Sequence, residues 1–281
     1  MTDLVTSPPP TGSGYEVPTH TPWWKKPSVW GWIAGTFVFL GVLVALGSRD
    51  LSFRTDVVPD GDTTWDWNFF WSLVPLMLNA LSVTAMSAVL GFVVAAVLGF
   101  FLALGRRSNH RWLSWPVASV IEFIRSTPLL VQLYFIFFAL PSWGIVLEPN
   151  QTLIVGLGIH YATYCSEAYR AGINSVDKGQ WEASIALNLD GRTKWSRVIV
   201  PQAIPNVLPA LGNFLIAAFK DAPLGATVQV TGLLFFAQTV SGRLFRSVEV
   251  YTLIGIGFLM VSIPAAWALR RLEKRLGYER I

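Results

Sequence analysis

The chain has 281 residues, 53% of them hydrophobic and only 14% charged, with 13 Trp and 18 Phe. That composition is too apolar for a soluble globular domain and indicates an all-α, polytopic membrane protein. The net charge of +4 is therefore no nucleic-acid signature, and a single cysteine, Cys165, excludes an internal disulfide. In chain order, residues 1–27 read as a disordered tail, since 1–22 are rich in Pro, Thr, Ser and Gly. No signal peptide stands at the very start. Trp23-Trp24-Lys25-Lys26 is an interfacial anchor, and residues 28–48 hold an apolar span, Val29 to Gly47. No small-residue cleavage site follows it, so it is read as an uncleaved, additional N-terminal span. Residues 49–68 form a polar external connector carrying Asp50, Asp56, Asp60, Asp62 and Asp66.

Residues 69–272 are expected to form a five-helix core, followed by a C-terminal tail over 273–281. The second span starts between Leu73 and Leu81 and ends at Leu104. The third covers Pro116 to Leu140, the fourth Thr152 to Ala171, the fifth Ile204 to Phe219 and the sixth Tyr251 to Leu269. Between the last two, residues 222–248 are irregular. Their apolar part suits a short helix at the outer surface better than a seventh span.

Six spans put both termini on one side. Lys25, Lys26, Arg106, Arg107, Arg111, Lys178, Arg192, Lys194, Arg197 and the C-terminal basic cluster lie on the tail side, against Arg49, Arg54, Arg243 and Arg246 on the other. The excess of Lys and Arg marks the cytoplasmic side, so both termini are expected there.

The stretch from Lys178 to Pro209 is a polar, basic island between two apolar runs. Its WEASIALNL segment reads as a short amphipathic helix with Trp181, Ile185 and Leu189 on one side, broken by Asp190 and Gly191. Charges also occur inside spans, where they are costly and face a pathway or a partner. Glu122 and Arg125 are three apart, as are Glu167 and Arg170, a spacing that puts each pair on one helix face within ion-pair reach. Packing alone could also explain such pairs. Ser126, Thr127 and Pro128 perturb the helix after Arg125, and Lys220-Asp221 followed by Pro223 and Gly225 ends the fifth span in a break.

The island resembles the EAA loop of ABC-importer membrane subunits, E-A-A, three residues, G, nine residues, I-x-L-P. Glu182, Ala183 and Ser184 stand for E-A-A, Asn188 for the glycine, and Val198 to Pro201 for the last four positions. If the glycine position needs positive φ, Asn is the next best residue. If it needs close approach to a partner backbone, Asn alters the contact. Glu122 to Gln132 resembles the E-x-x-R-G-T-P-L-L-V-Q segment of the polar amino-acid branch of these permeases, with Ser126 for Gly. Lys220-Asp221-Ala222-Pro223-Leu224 is similar to K-D-T-S-L. Tyr164, Glu167, Arg170, Gly172 and Ile173 match S-x-x-Y-x-x-E-x-x-R-x-G-I, with Tyr161 at the Ser position. The matches cover about residues 73–276.

The resemblance implies a type I importer permease fold and a bacterial cell-membrane location. It implies a second permease copy or a homologous permease as partner, a separate ATP-binding subunit that carries ATP and Mg, and an extracytoplasmic solute-binding protein. Glu182 to Leu189 would be the coupling helix, with Gly191 and Pro201 setting its angle. Glu122, Arg125, Ser126, Thr127, Gln132, Glu167, Lys220 and Asp221 would line the solute path or its gate. The solute would be a polar amino acid or a related zwitterion, an ectoine-like compatible solute included. Lipid is the remaining partner, and no nucleic acid is expected.

No G-x-x-x-x-G-K-[S/T] phosphate loop occurs, so this chain is not expected to hydrolyse ATP. His20, His110, His160 and Cys165 have no metal-ligand spacing, and His160 is expected to be a packed residue. A stand-alone ion-coupled carrier is the alternative. Its usual clue is two halves with matching broken spans, of which one break is visible here. A membrane enzyme or sensor lacks any catalytic constellation.

Overall fold

The computed structural model describes residues 65–275. The expected tail, first span and nearly all of the connector lie outside the described residues, as does 276–281. A short helix α1 (Trp67–Ser72) starts where the Asp66 carboxylate accepts the amides of Asn68 and Phe69, at 2.8 and 3.1 Å. Pro75 then falls in the first turn of α2 (Val74–Arg106), where a missing N–H costs no hydrogen bond. At 1.5 Å per residue α2 is about 50 Å long, enough to cross a bilayer with a tilt.

One side of α2 is a row of small buried residues, Ala88, Gly91, Ala95, Gly99 and Ala103. Against it lies α5 (Pro149–Asn174), running parallel, with Leu157 opposite Gly91 and Cys165 opposite Gly99. The two backbones nearly touch. A Cβ at Gly99 would sit 2.6 Å from the Cys165 Cβ and 2.7 Å from the Ala162 carbonyl oxygen. Small residues permit such an approach where no hydrophobic force separates helix from lipid. The other side of α2 exposes Val93, Val97, Phe100, Phe101 and Leu104, a face suited to lipid.

The expected third span is not one helix. α3 (Arg111–Arg125) stops at Ser126, and α4 (Leu129–Tyr134) leaves at 103° to it, continuing through π and 3-10 turns to Trp143. Pro128 explains the corner: it disfavours helical geometry at Thr127, lacks an N–H, and adopts an extended ψ of 139° as N-cap of α4.

The fourth span is longer than expected. Glu148 and Gln151 form a capping box, and Pro149 opens α5 at its first position. The fifth is also longer: α7 (Val200–Asp221) passes through Pro205 and Pro209. Residues 201, 205 and 209 are all Pro and recur every four positions, so the lost hydrogen bonds fall along one side and the helix continues. α7 runs antiparallel to α5, with Val207 against Gly172 and Asp221 against Tyr161.

After α7 come a 3-10 turn (Ala222–Val228) and α8 (Leu233–Leu244), which is too short to span. As expected it is a short helix and not a further span, and one side of it packs into the bundle. Leu233, Ala237 and Val240 are fully buried, and the Leu233 amide donates to Thr84 Oγ1 of α2 at 2.9 Å. α9 (Ser247–Arg275) closes the described chain and packs antiparallel to α7, with Leu269 against Gly212 and Phe258 against Phe219. Thus α2, α5 and α9 end, and α3 and α7 begin, at one face, which carries Arg106, Arg107, Arg111 and the Lys178–Arg197 island. By length and composition, Val74–Arg106, Gly191–Val228 and Ser247–Lys274 can each cross a membrane, and the bent pair is a fourth if taken as one span. α5 falls short on mean hydropathy, because His160, Tyr161, Tyr164, Glu167, Tyr169 and Arg170 interrupt its apolar run, but its 26 residues and its packing along α2 put it at the same depth.

Candidate functional site: a short helix at the basic face and a polar row behind it

The island folds as α6 (Lys178–Ala186), N-capped by Asp177, whose carboxylate accepts the Gly179 amide at 2.7 Å. Its C-terminus is closed by Asn188 at φ 49°. The Asn188 amide donates to the Ile185 carbonyl at 2.9 Å and the Leu189 amide to the Ser184 carbonyl at 3.0 Å. These are the two bonds of a Schellman motif, which places a left-handed residue just past the helix end. The conformational explanation for the glycine position therefore holds within this chain, and Asn meets the need.

Ser184 is buried, and its hydroxyl donates to the Gln180 carbonyl at 2.6 Å, so this position takes a small side chain that faces inward. Glu182 and Ala183 are exposed. The apolar side differs from expectation: Trp181 and Leu189 are half-buried, while Ile185 is 70% exposed and Leu187 72%. Trp181 shares its inner side with Ser184, and Ile185 falls beyond the turn on which the helix packs. Asp190 caps the next turn, Gly191–Thr193, accepting the Thr193 amide at 3.2 Å. Its exposed carboxyl is held below the usual carboxylate range, first by its bond with the Thr193 side chain and then by the backbone amides.

A π turn (Lys194–Ile199) then leads into α7, with Pro201 in its first turn. Trp195 of that turn meets Trp181 edge to face, with ring centroids 5.5 Å apart. Gln202 Nε2 donates to Gln180 Oε1 at 3.2 Å. The positions 182, 183, 184, 188, 191 and 201 thus belong to one contiguous unit.

The expected path residues fall into three groups. Thr127 and Gln132 build the corner between α3 and α4. Gln132 Nε2 donates to the Ile124 carbonyl at 2.8 Å, the Thr127 carbonyl at 3.1 Å and Thr127 Oγ1 at 2.9 Å, and Ser126 caps α3.

The second group lies along α5. Glu167 accepts Arg170 at 2.6 Å, as the spacing predicted, and also accepts Arg106 from the end of α2. Glu122 and Arg125 make no such pair. Glu122 is exposed, and the Arg125 guanidinium lies 5.3 Å from the Tyr164 ring centroid, within electrostatic reach of Glu167. A three-residue spacing permits an ion pair without requiring it, and here an aromatic face and a second carboxylate compete for Arg125.

The third group is at the far end of α7. Asp221 accepts the Tyr161 hydroxyl at 2.7 Å, while Lys220 is exposed. His160 packs against Tyr161 and Tyr164, with centroids 5.4 and 5.3 Å away. The result is a row, Asp221, Tyr161, Tyr164 with Arg125, then Glu167 with Arg106 and Arg170. From Tyr161 to the basic end of α5 is about 20 Å, so the upper members lie well inside the helix bundle. Such a row offers opposite charges and hydroxyl donors along one helix face. Sequence reasoning missed Tyr161 and Tyr164 as members of the row and Arg106 as its link to α2. Aromatics three apart on the helix carrying Glu167 were the available signal.

The described geometry can be set beside known proteins. Residues 95–278 match the model of the family described as binding-protein-dependent transport system inner membrane component. The probable amino-acid ABC transporter permease protein y4tG of Sinorhizobium fredii is 40% identical over 218 residues, covering 76% of this chain and 94% of that protein. The glutamine transport system permease protein GlnP of Escherichia coli is 33% identical over 215 residues, covering 75% and 98%. Among solved structures, an amino acid ABC transporter with histidines aligns with a TM-score of 0.71 at 31% identity, over 75% of this chain and 99% of that one. The MetNI methionine ABC transporter, at 21% identity and a TM-score of 0.60, shares the fold.

Proposed function

The chain belongs to the family of binding-protein-dependent transport system inner membrane components and is a permease subunit of an ABC importer; from that premise we propose that it takes up a polar amino acid or a related zwitterion, driven by a separate ATPase that docks on α6. Membership in that family displaces the ion-coupled carrier as a reading, and it makes the chain a multi-pass inner-membrane protein. The single observation that carries the docking assignment is the form of α6: a rigidly closed short helix that points Glu182, Ile185 and Leu187 away from the bundle. Exposed apolar side chains on a basic face are suited to a protein cleft rather than to water.

In this reading the basic face is cytoplasmic, and both termini lie there. ATP and Mg are bound by the partner subunit. A second permease, identical or homologous, completes the pathway, and an extracytoplasmic binding protein delivers the solute to the opposite end. The solute class is supported by the relatives named for amino-acid transport and by the row of opposite charges beside α5. Asp221 and Tyr161 suit an ammonium group, and Arg125 suits a carboxylate.

The test is uptake by the complex purified from its own membrane and reconstituted with its binding protein. A panel of labelled amino acids and ectoine is offered with and without ATP inside the liposomes. ATP-dependent uptake of a zwitterion is expected. In the same assay Glu182→Arg should leave the complex inserted and abolish uptake, because it reverses the charge on the docking helix. Unchanged uptake by Glu182→Arg would remove α6 from the ATPase interface.

A further inference from the structure

Arg107 is the first residue beyond α2, and it belongs mechanically to that helix. Its amide donates to the Ala103 carbonyl at 3.1 Å, as the C-cap of the last turn. Its side chain reaches out of the bundle to the short helix. The guanidinium carbon lies 5.4 Å from the Trp181 ring centroid and 5.7 Å from that of Trp195, and Nη1 donates to Asn174 Oδ1 at 3.0 Å. One side chain therefore touches α6, the turn that leads into α7, and the end of α5.

The contacts need an arginine. A planar guanidinium presents a face to an indole while its edge still donates to an amide oxygen, whereas an ammonium is a compact, strongly hydrated charge with no planar face to lay on a ring. The packing of α6 makes the contact consequential. Among the described elements α6 rests chiefly on the π turn Lys194–Ile199, through Trp181 on Trp195, with Gln180 also accepting a bond from Gln202 in the first turn of α7. A displacement of α6 thus passes directly to α7. Passage to α2 needs a separate tie, and Arg107 supplies it. Its neighbour Arg106 holds Glu167 in the polar row. Two consecutive residues at the end of α2 face the docking helix and the charged row respectively.

We infer that Arg107 is a positioning residue for energy coupling, relaying movement of α6 to α2 and through Arg106 to Glu167. The inference rests on the importer reading and on α6 as its docking helix. It adds that coupling runs through α2 as well as through α7.

The experiment uses the complete complex, with ATPase, permeases and binding protein, in proteoliposomes. Solute taken up per ATP hydrolysed is measured for wild type, Arg107→Met and Arg107→Lys, and co-purification of the ATPase is measured for each. Arg107→Met keeps the stem and loses the cation. It should keep the ATPase bound while solute per ATP falls about fivefold, on the scale of two lost cation–π contacts. Arg107→Lys, which retains a cation but not the fork, should recover part of that loss. Three results overturn the inference: wild-type solute per ATP in Arg107→Met, equal deficits in Met and Lys, or loss of the ATPase from Arg107→Met, which would make Arg107 an assembly residue. Wild-type uptake that ignores ATP would instead sink the importer reading, and this inference with it.

Discussion

Asn188 holds φ 49° at the end of α6, in a region that costs an ordinary L-residue about 1–2 kcal/mol and Asn less. Replacing it by Ala retains a Cβ and removes the side-chain amide that favours the conformation. Taking about 1 kcal/mol as the difference, the helix end opens about fivefold more often, since 1.4 kcal/mol is about tenfold. The amides that report this are those of Asn188 and Leu189, which donate to Ile185 and Ser184. Hydrogen–deuterium exchange of the peptide spanning 184–190, in nanodiscs, reads the opening directly. Asn188→Ala should exchange about fivefold faster. Asn188→Gly should stay within about twofold of wild type, because easier left-handed geometry is offset by the larger entropy of a glycine in the open state. In uptake assays the Gly variant should match wild type and the Ala variant should fall below it. Equal protection in Asn188→Ala, or faster exchange in Asn188→Gly, would refute the conformational account of this position.

Gly99→Leu should lower the thermal stability of the purified protein by about 1–3 kcal/mol or prevent its insertion, because a Cβ there already meets the Cys165 Cβ and the Ala162 carbonyl; a melting curve in detergent checks it. Asp190 has a depressed carboxyl pKa, so its cap contributes above the ordinary carboxylate range and is lost as pH falls through the depressed value; exchange at Thr193 should quicken only in that acid window, and Asp190→Asn should flatten the dependence. Arg125→Ala should reduce uptake while leaving the amount of protein in the membrane unchanged, as judged by blotting; loss of the protein instead would make Arg125 a packing residue.

The unit from Glu182 to Pro201 was legible because its signals are local. A short amphipathic segment, a helix-breaking pair and a Pro at a new helix start each act within a few residues, and the motif spacing joins them. At Lys220–Asp221 the expected break is a change of helix type: the α-helix ends at Asp221 and a 3-10 turn carries the run on to Val228. The third span was read as one helix because hydropathy is blind to direction: 111–143 is apolar enough to pass as one span despite Glu122 and Arg125, yet Pro128, legible as a perturbation, turns it by 103°. Pro201, Pro205 and Pro209 mislead in the opposite sense. They look like breakers, but the run from 191 to 228 stays helical.

Side-chain partners were legible only where the chain itself supplied both. Glu167 and Arg170 share a helix and pair as the spacing predicts, but Arg106, 61 positions away, completes the site. Glu122 and Arg125 have the same spacing and do not pair. The difference lies in what faces them across the bundle. Arg125, at the end of α3, reaches Tyr164 of α5 instead of the carboxylate on its own helix. Charge spacing along one helix therefore identifies which residues can serve the row, and the neighbouring helix decides which of them do. The same logic applies at the basic face. Arg107 reads as one more positive charge in a cytoplasmic loop until Trp181 and Trp195 are brought beneath it. A positive-inside count treats such residues as equivalent, yet two adjacent arginines here hold different partners, Arg107 the indoles of Trp181 and Trp195 and Arg106 the carboxylate of Glu167.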